Sequence, residues 1–239
     1  GPTLAEAHSV QSQLLQRHHF LWQKAREASA RAVQLASENA EVLTDALCVD
    51  LTLGEWARGI AYGRQAIALD PLNPEARLFF AVLLFHAGQY TEAEAAINQA
   101  IELAPALHWA RLIASQILLA QGRPEEALHQ ARSEPARMHH LEALALSAYA
   151  CGRIQEADAA RRSLEVEYAE QWPFQIAEVY AQRSDLDAAF RWLDRAWQIR
   201  EGGICLIHSP TLGNLHADPR WSAFLRKIGL TPASGIQGF

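Results

Sequence analysis

The sequence predicts an all-α chain, a solenoid of antiparallel helical hairpins ending in a capping helix, on three observations. In residues 73–105, apolar and small residues recur at helical spacing on both sides of Gly88-Gln89, which is the pattern of two helices joined by a short turn. The turn residue then returns along the chain: Gly54, Gly88, Gly122, Gly152 and Ser184 are 34, 34, 30 and 32 apart. Five residues after each of them stands a small residue, namely Gly59, Ala93, Ala127, Ala157 and Ala189. A hairpin cannot bury its own outer face, so copies at a fixed period imply a stack in which each copy covers the last.

Residues 4–37 read as two helices broken near His19 and Phe20. Ala25, Ser29, Ala32 and Leu35 align with Gly59, Gly63, Ala66 and Leu69 of the following copy, so this segment is expected to be a degenerate first repeat. The next hairpin runs from Ala40 to Leu69 with Gly59 and Gly63 inside its second helix, where each glycine costs about 1 kcal/mol relative to alanine. Either they allow close packing or that helix is soft. In 73–105, Ala81 and Leu84 face Ala93, Ile97 and Ala100, and Pro105 stops the second helix. The following copy spans His108 to Ser133, with Pro124 suited to a first helical turn and Ser133-Glu134-Pro135 ending it early, which explains the 30-residue spacing. The last two run from Met138 to Tyr168 and from Trp172-Pro173 to Ile199. Beyond Gly202-Gly203 comes a short apolar segment, Ile204 to Pro210. Asp218-Pro219 then supplies a cap and first-turn proline for a final helix, on which Trp221, Phe224 and Leu225 share one face with help from Leu212 and Leu215.

The interval from Pro71 to Pro105, 34 residues, with this register of small residues and turns, resembles the tetratricopeptide repeat family over most of the chain. The tryptophan often seen early in the family's first helices is replaced by Leu43, Arg77 and Arg111. The resemblance implies a right-handed superhelix of about six hairpins. The stretches FQIAEVYAQRSDLDAAFRWLDRAW and SPTLGNLHADPRWSAFLRKIGL are similar to the C-terminal end of bacterial tetratricopeptide proteins in which the array follows a winged-helix, cyclase-like or kinase module. The organisation expected is therefore a tag scar at 1–2, the degenerate repeat at 3–39, repeats at 40–199, and a C-terminal loop with capping helix at 200–239. All of it forms one continuous unit, a fragment of a longer protein.

Composition narrows the function. A net charge of −6 across 239 residues gives no clustered cationic surface for a polyanion, so no direct nucleic-acid contact is expected. The apolar run Leu78 to Phe85 is far short of the roughly 20 residues of a membrane span, so no membrane insertion is expected. Three widely spaced cysteines, Cys48, Cys151 and Cys205, suit a reducing, cytoplasmic setting without a disulfide framework. Among ten histidines, the pairs His18-His19 and His139-His140 point apart on a helix. A site from His208, His216 and Asp218 is conceivable but weaker than ordinary loop roles, so no metal and no cofactor are assigned. No phosphate loop or nucleophile elbow is present in the sequence, carboxylate pairs such as Glu125-Glu126 lie on polar faces, and an enzyme is disfavoured.

The resemblance also implies a binding surface. In such arrays the first helices line the concave side, and the family's groove positions fall here on Thr44, Cys48, Leu51, Leu78, Val82, Phe85, Leu112, Gln116, Leu119, Glu142, Leu146 and Tyr149. The Lys, Arg and Asn of carboxylate-clamp members are missing there. The expected function is a non-enzymatic protein-interaction or regulatory domain of a bacterial signalling or transcription regulator. It would bind a hydrophobic protein or peptide segment, from a partner or from another copy of the chain, around Phe85, Leu119 and Tyr149. A sensor of a small apolar ligand and a dimerisation scaffold are the alternatives, as is a groove covered by the chain's own segments.

Overall fold

The computed structural model describes residues 4–231, and the expected tag scar therefore lies outside the described residues. It contains thirteen α-helices and two 3-10 turns, with no strand among the described residues. The helices pair in sequence. The pairs are α1 (Leu4–Arg17) with α2 (Trp22–Leu35), α3 (Ala40–Leu53) with α4 (Trp56–Leu69), and α5 (Pro74–His86) with α6 (Tyr90–Leu103). Three more follow: α7 (Ala110–Ala120) with α8 (Pro124–Arg132), α9 (Arg137–Ala150) with α10 (Ile154–Tyr168), and α11 (Pro173–Gln182) with α12 (Leu186–Gln198). The 3-10 turns Gly202–Leu206 and Pro210–Leu215 come next, then α13 (Pro219–Lys227).

The turns carry the reason for the period. Gly54, Gly88, Gly122 and Gly152 all take positive φ between 70° and 76°, a left-handed conformation that lets the first helix of a pair reverse into the second. Ser184 occupies the same place with φ 59°. Beyond each turn the small residue is buried without remainder: Ala93, Ala127, Ala157 and Ala189 have no exposed surface. Asn39 and Asn73 cap α3 and α5 through their side chains, and Asp185 caps α12. Gly59 and Gly63 mark a close approach rather than a soft helix. A Cβ at Gly63 would come 2.2 Å from Cδ2 of Phe80, and one at Gly59 would lie 2.9 Å from Cδ2 of Leu83, so α4 rests directly on the side chains of α5. The same tightness governs α5 against α6, where Ala81, Ala93, Ile97 and Ala100 are fully buried. Ala93→Leu is therefore expected to cost about 1 to 3 kcal/mol by overpacking, read as a lower urea midpoint; an unchanged midpoint would place this contact elsewhere.

The stack does not end in solvent. Its curvature carries the last elements back to the first, and one buried cluster joins Phe20 and Trp22 to Phe190, Leu212, Trp221, Leu225 and Ile228. Trp22 Nε1 donates to the Ile228 carbonyl at 2.6 Å, Phe20 stacks between Trp22 and Trp197, and Arg200 Nη1 donates to the His19 carbonyl. As the sequence indicates, Trp221, Phe224 and Leu225 face inward on α13, together with Leu212 and Leu215. They seal α12 and the N-terminal hairpin at once. The outer surface, by contrast, is laced with pairs between neighbouring repeats such as Arg64–Glu92, Arg132–Glu156 and Arg137–Glu167, which water screens so that they contribute little to stability.

Candidate functional site

The concave side is occupied by the chain itself. Of the twelve groove positions, Thr44, Leu119 and Tyr149 are half-buried and the other nine are buried. The covering element is the segment of the two 3-10 turns, 202–215. Thr52 Oγ1 on α3 donates to the Cys205 carbonyl at 2.9 Å, and Leu206 packs against the cluster that contains Cys48, Leu51, Leu78, Val82 and Phe85. The His208 ring meets the edge of Trp56 at 5.9 Å. Pro210, Thr211, Gly213 and Asn214 lie over Phe85, Gln116, Leu119 and Leu146, leaving between them a small cavity of about 290 Å³. Leu112 belongs to the buried cluster of α7, α9 and α11.

Phe85 is 1% exposed, so an arginine there would unfold the core rather than report on binding alone. Tyr149 does not continue the Phe85–Leu119 line. Its ring lies under the Arg183 guanidinium at 4.7 Å, beside the separate cluster of Leu128, Ala148 and Ala157. The equal sequence offsets of Phe85, Leu119 and Tyr149 thus do not place the three on one open surface, since Phe85 is buried and Tyr149 is covered by Arg183.

Two buried carboxyls fasten the segment. Glu142 of α9, 1% exposed, accepts from Gln116 Nε2 at 3.4 Å, and burial followed by the neighbouring Glu178 pushes its pKa well above the usual carboxylate range. Glu178 of α11 is also raised, by burial, and accepts from Thr211 Oγ1 with Ser209 close by. Two carboxyls this close cannot both ionise cheaply, so Glu142 holds the shared proton and Glu178 takes the hydroxyls of the covering segment. Glu142 thus faces inward as the groove pattern implies, but what it meets is the chain's own latch.

One mouth of the channel remains open as a cavity of about 620 Å³. Its walls are Phe79, Trp109, Trp172 and Leu206, and the groove residues Cys48 and Leu51 contribute to its floor. Trp172 stands at the rim, 37% exposed. Buried polar groups stand around the cavity. Gln16 Nε2 is committed to the Cys48 carbonyl and Thr52 Oγ1, which fixes its amide and leaves Oε1 without a partner. Gln175 Oε1, Glu201 Oε1 and His139 Nδ1 are likewise unpartnered. Burial raises the Glu201 pKa to about 8 and lowers that of His139. None of Gln16, Gln175, Trp172 and Glu201 is legible as a site in the sequence; the available signal is the excess of aromatic residues next to the repeat boundaries at 109 and 172.

Glu201 and Glu134 show how local sequence builds this region. Glu201 Oε2 accepts from the Phe174 N–H at the start of α11 at 2.7 Å. Glu134 does the same for α7, accepting from the Trp109, Arg111 and Leu112 N–H groups, with Trp109 held at φ 74°. Each carboxylate follows its repeat and reaches back to satisfy orphan donors of a first helix. The histidines of the conceivable metal set separate: His208 is buried against Trp56, His216 lies on Trp221, and Asp218 caps α13. Among the described residues no three of His, Cys, Asp and Glu are placed to hold a metal ion. No helix among them is long and apolar enough to cross a membrane.

The tetratricopeptide repeat family model matches residues 50–115, spanning α4, α5 and α6 with the flanking ends of α3 and α7. Over that stretch the chain is similar to the tetratricopeptide repeat family. Its fold is similar to that of a tetratricopeptide repeat protein from Parabacteroides merdae, at 14% identity and a TM-score of 0.64, over 96% of this chain and 86% of that one. It is similar also to a thermophilic tetratricopeptide protein of Thermus thermophilus, at 18% identity and TM-score 0.59, over 81% of this chain and 99% of that one. The pilF protein of Pseudomonas aeruginosa is 16% identical at TM-score 0.56, over 82% and 91%. At these identities the likeness concerns the fold of the array. No curated protein matches the sequence.

Proposed function

We propose that this array is a non-enzymatic interaction domain that receives the end of an apolar protein segment in the open mouth of its channel. The reading is supported above all by the cavity of about 620 Å³ that continues the groove beyond the covering segment, with Phe79, Trp109 and Trp172 among its lining residues. Concave pockets of this size, mostly apolar with a few converging polar groups, are the ordinary form of a ligand site. The rest of the groove already holds an apolar segment of the chain, so its chemistry is that of a peptide receptor whose occupant is internal. Tetratricopeptide arrays in general bind protein or peptide partners, which favours a protein segment over a free apolar ligand. The resemblance of the C-terminal stretch supports a place in a bacterial, cytoplasmic signalling or transcription regulator, where occupancy of the cavity would be read by an attached module.

A peptide display library panned against the whole chain tests this. Peptides with an apolar end should be enriched with micromolar affinity, and Trp172→Arg, a change at the exposed rim, should weaken them about thirtyfold while leaving helicity intact. Enrichment of nothing, or equal affinity for wild type and variant, overturns the reading.

A further inference from the structure

The open cavity carries a cation in its wall and no anion to match it. Arg17, in the last turn of α1, is exposed and lines the cavity together with Cys48 and Cys205. Its guanidinium reaches the Cys48 thiol and acts on that of Cys205, but burial pushes both thiols up to about 12, so they stay neutral near pH 7. Among the described residues no carboxylate lies within 4 Å of Arg17. Glu201, the carboxyl among the lining residues, is held by the Phe174 and Gly203 N–H groups and, with its pKa raised by burial to about 8, is mostly protonated at neutral pH. His139 also lines the cavity and adds no second cation, because burial lowers its pKa. The apolar wall is accessible rather than sealed: Phe79, Trp109 and Leu206 are half-buried and Trp172 is exposed. Phe79 meets the edge of Trp109 at 6.0 Å and Trp109 lies against His139 at 6.4 Å, so these rings run in one row. A space of about 620 Å³ has room for an aromatic ring or a short acyl chain beside them.

Resting on the reading of the cavity as a receptor site, we propose that it recognises a carboxylate carried on an apolar body. The Arg17 guanidinium donates to the carboxylate oxygens, and Phe79, Trp109, Trp172 and Leu206 enclose the apolar body. The planar fork of an arginine fits the two oxygens of a carboxylate, and a single cation balances a single charge. A phosphate, with nearly two charges, calls for more cations than this wall supplies. An exposed ion pair alone is worth little, so the apolar walls hold the ligand and Arg17 selects its head. Arg17 belongs to the degenerate first repeat and to none of the twelve groove positions. It stands beside Cys205 and Leu206 of the covering segment, so the site exists only because the array closes on itself. Two sources share this chemistry, the last residue of a peptide and a free apolar acid.

The test titrates the whole chain at pH 7 with 4-phenylbutyrate, its amide, and an apolar hexapeptide ending in Phe as the free acid and as the C-terminal amide, followed by calorimetry and tryptophan fluorescence. The acids should bind about tenfold more tightly than the corresponding amides. Arg17→Gln, a change at an exposed position, should reduce that preference to about twofold or less, with an unchanged circular dichroism spectrum and thermal midpoint showing that the array is intact. Tighter binding of the hexapeptide acid than of 4-phenylbutyrate assigns the site to a partner's C-terminus; equal or weaker binding assigns it to a free acid, and both outcomes support the proposal. Equal affinity for acids and amides, an acid preference that survives Arg17→Gln, or no binding of any probe overturns it. Panned peptides that depend on Trp172 but bind equally well as amides would remove the carboxylate assignment and leave the receptor reading standing.

Discussion

A chain ending at Glu201 is expected to lose cooperative folding. Residues 202–231 place Ile204, Ile207, Leu212, Leu215, Trp221, Phe224, Leu225 and Ile228 in the interior, each at most 5% exposed. Burial of a large apolar side chain contributes about 1.5 to 3 kcal/mol, so together these reach the order of the 5 to 15 kcal/mol that hold a typical domain folded. Their removal would also bare Phe85, Leu146 and Phe174 to water, strip the Trp22 indole of its acceptor, and leave Glu178 without its Thr211 hydroxyl. An ordinary repeat array loses stability by increments when an end is removed, since each repeat touches only its neighbours. Here the terminal segment touches α1, α3, α11 and α12 at once, so the loss should be global. Size exclusion, dye binding to exposed apolar surface and thermal unfolding check it: a soluble monomer with the wild-type midpoint would reduce the segment to a peripheral appendage.

The pieces legible in the sequence are those whose cause is local. The turn residue, the small residue five positions on and the Asp218-Pro219 cap each act within a few residues, so their spacing placed the hairpins and the inward face of α13 within a residue or two. The occupant of the groove was not legible, although its apolar character at 204–210 was. Trp22 and Ile228 are 206 positions apart, and what joins them is the summed curvature of all the intervening repeats, which no single spacing encodes. The open cavity escaped notice for a related reason. Gln16, Gln175 and Glu201 sit at positions that a solvated helix face or a helix stop would equally fill, and only closure of the array turns them into one interior. Position in the repeat pattern showed that Phe85 and Glu142 face inward; it could not show that the chain itself meets them there.

Stability should fall as pH rises from 7.5 to 8.5, and the buried carboxyls should be the cause. Glu142, Glu178 and Glu201 all have pKa values raised by burial above the ordinary 4.5, Glu201 to about 8. The folded chain therefore holds these protons more tightly than the unfolded one. The associated stability is complete below about pH 4.5 and is lost as pH rises toward the folded values. His86 and His208 act in the opposite sense: buried neutral, with pKa values lowered from 6.5 to about 3 and about 4, they contribute stability that is present above 6.5 and lost on acidification. Above about pH 7.5 these histidines, with His139 and His216, whose pKa values burial also lowers, are neutral in both states, and the thiols of Cys48 and Cys205, pushed up to about 12, respond chiefly at more alkaline pH. The slope in this window then belongs to the carboxyls, with Glu201 alone contributing on the order of 1 kcal/mol at 1.36 kcal/mol per unit. Glu201→Gln keeps the oxygen that Phe174 needs, and Glu142→Gln keeps an acceptor for Gln116 and a donor toward Glu178. Urea unfolding of the double variant at pH 7.5, 8 and 8.5 should give nearly constant stability where wild type declines. A double variant that retains the wild-type slope would mean that neither carboxyl carries the charge cost that its burial demands.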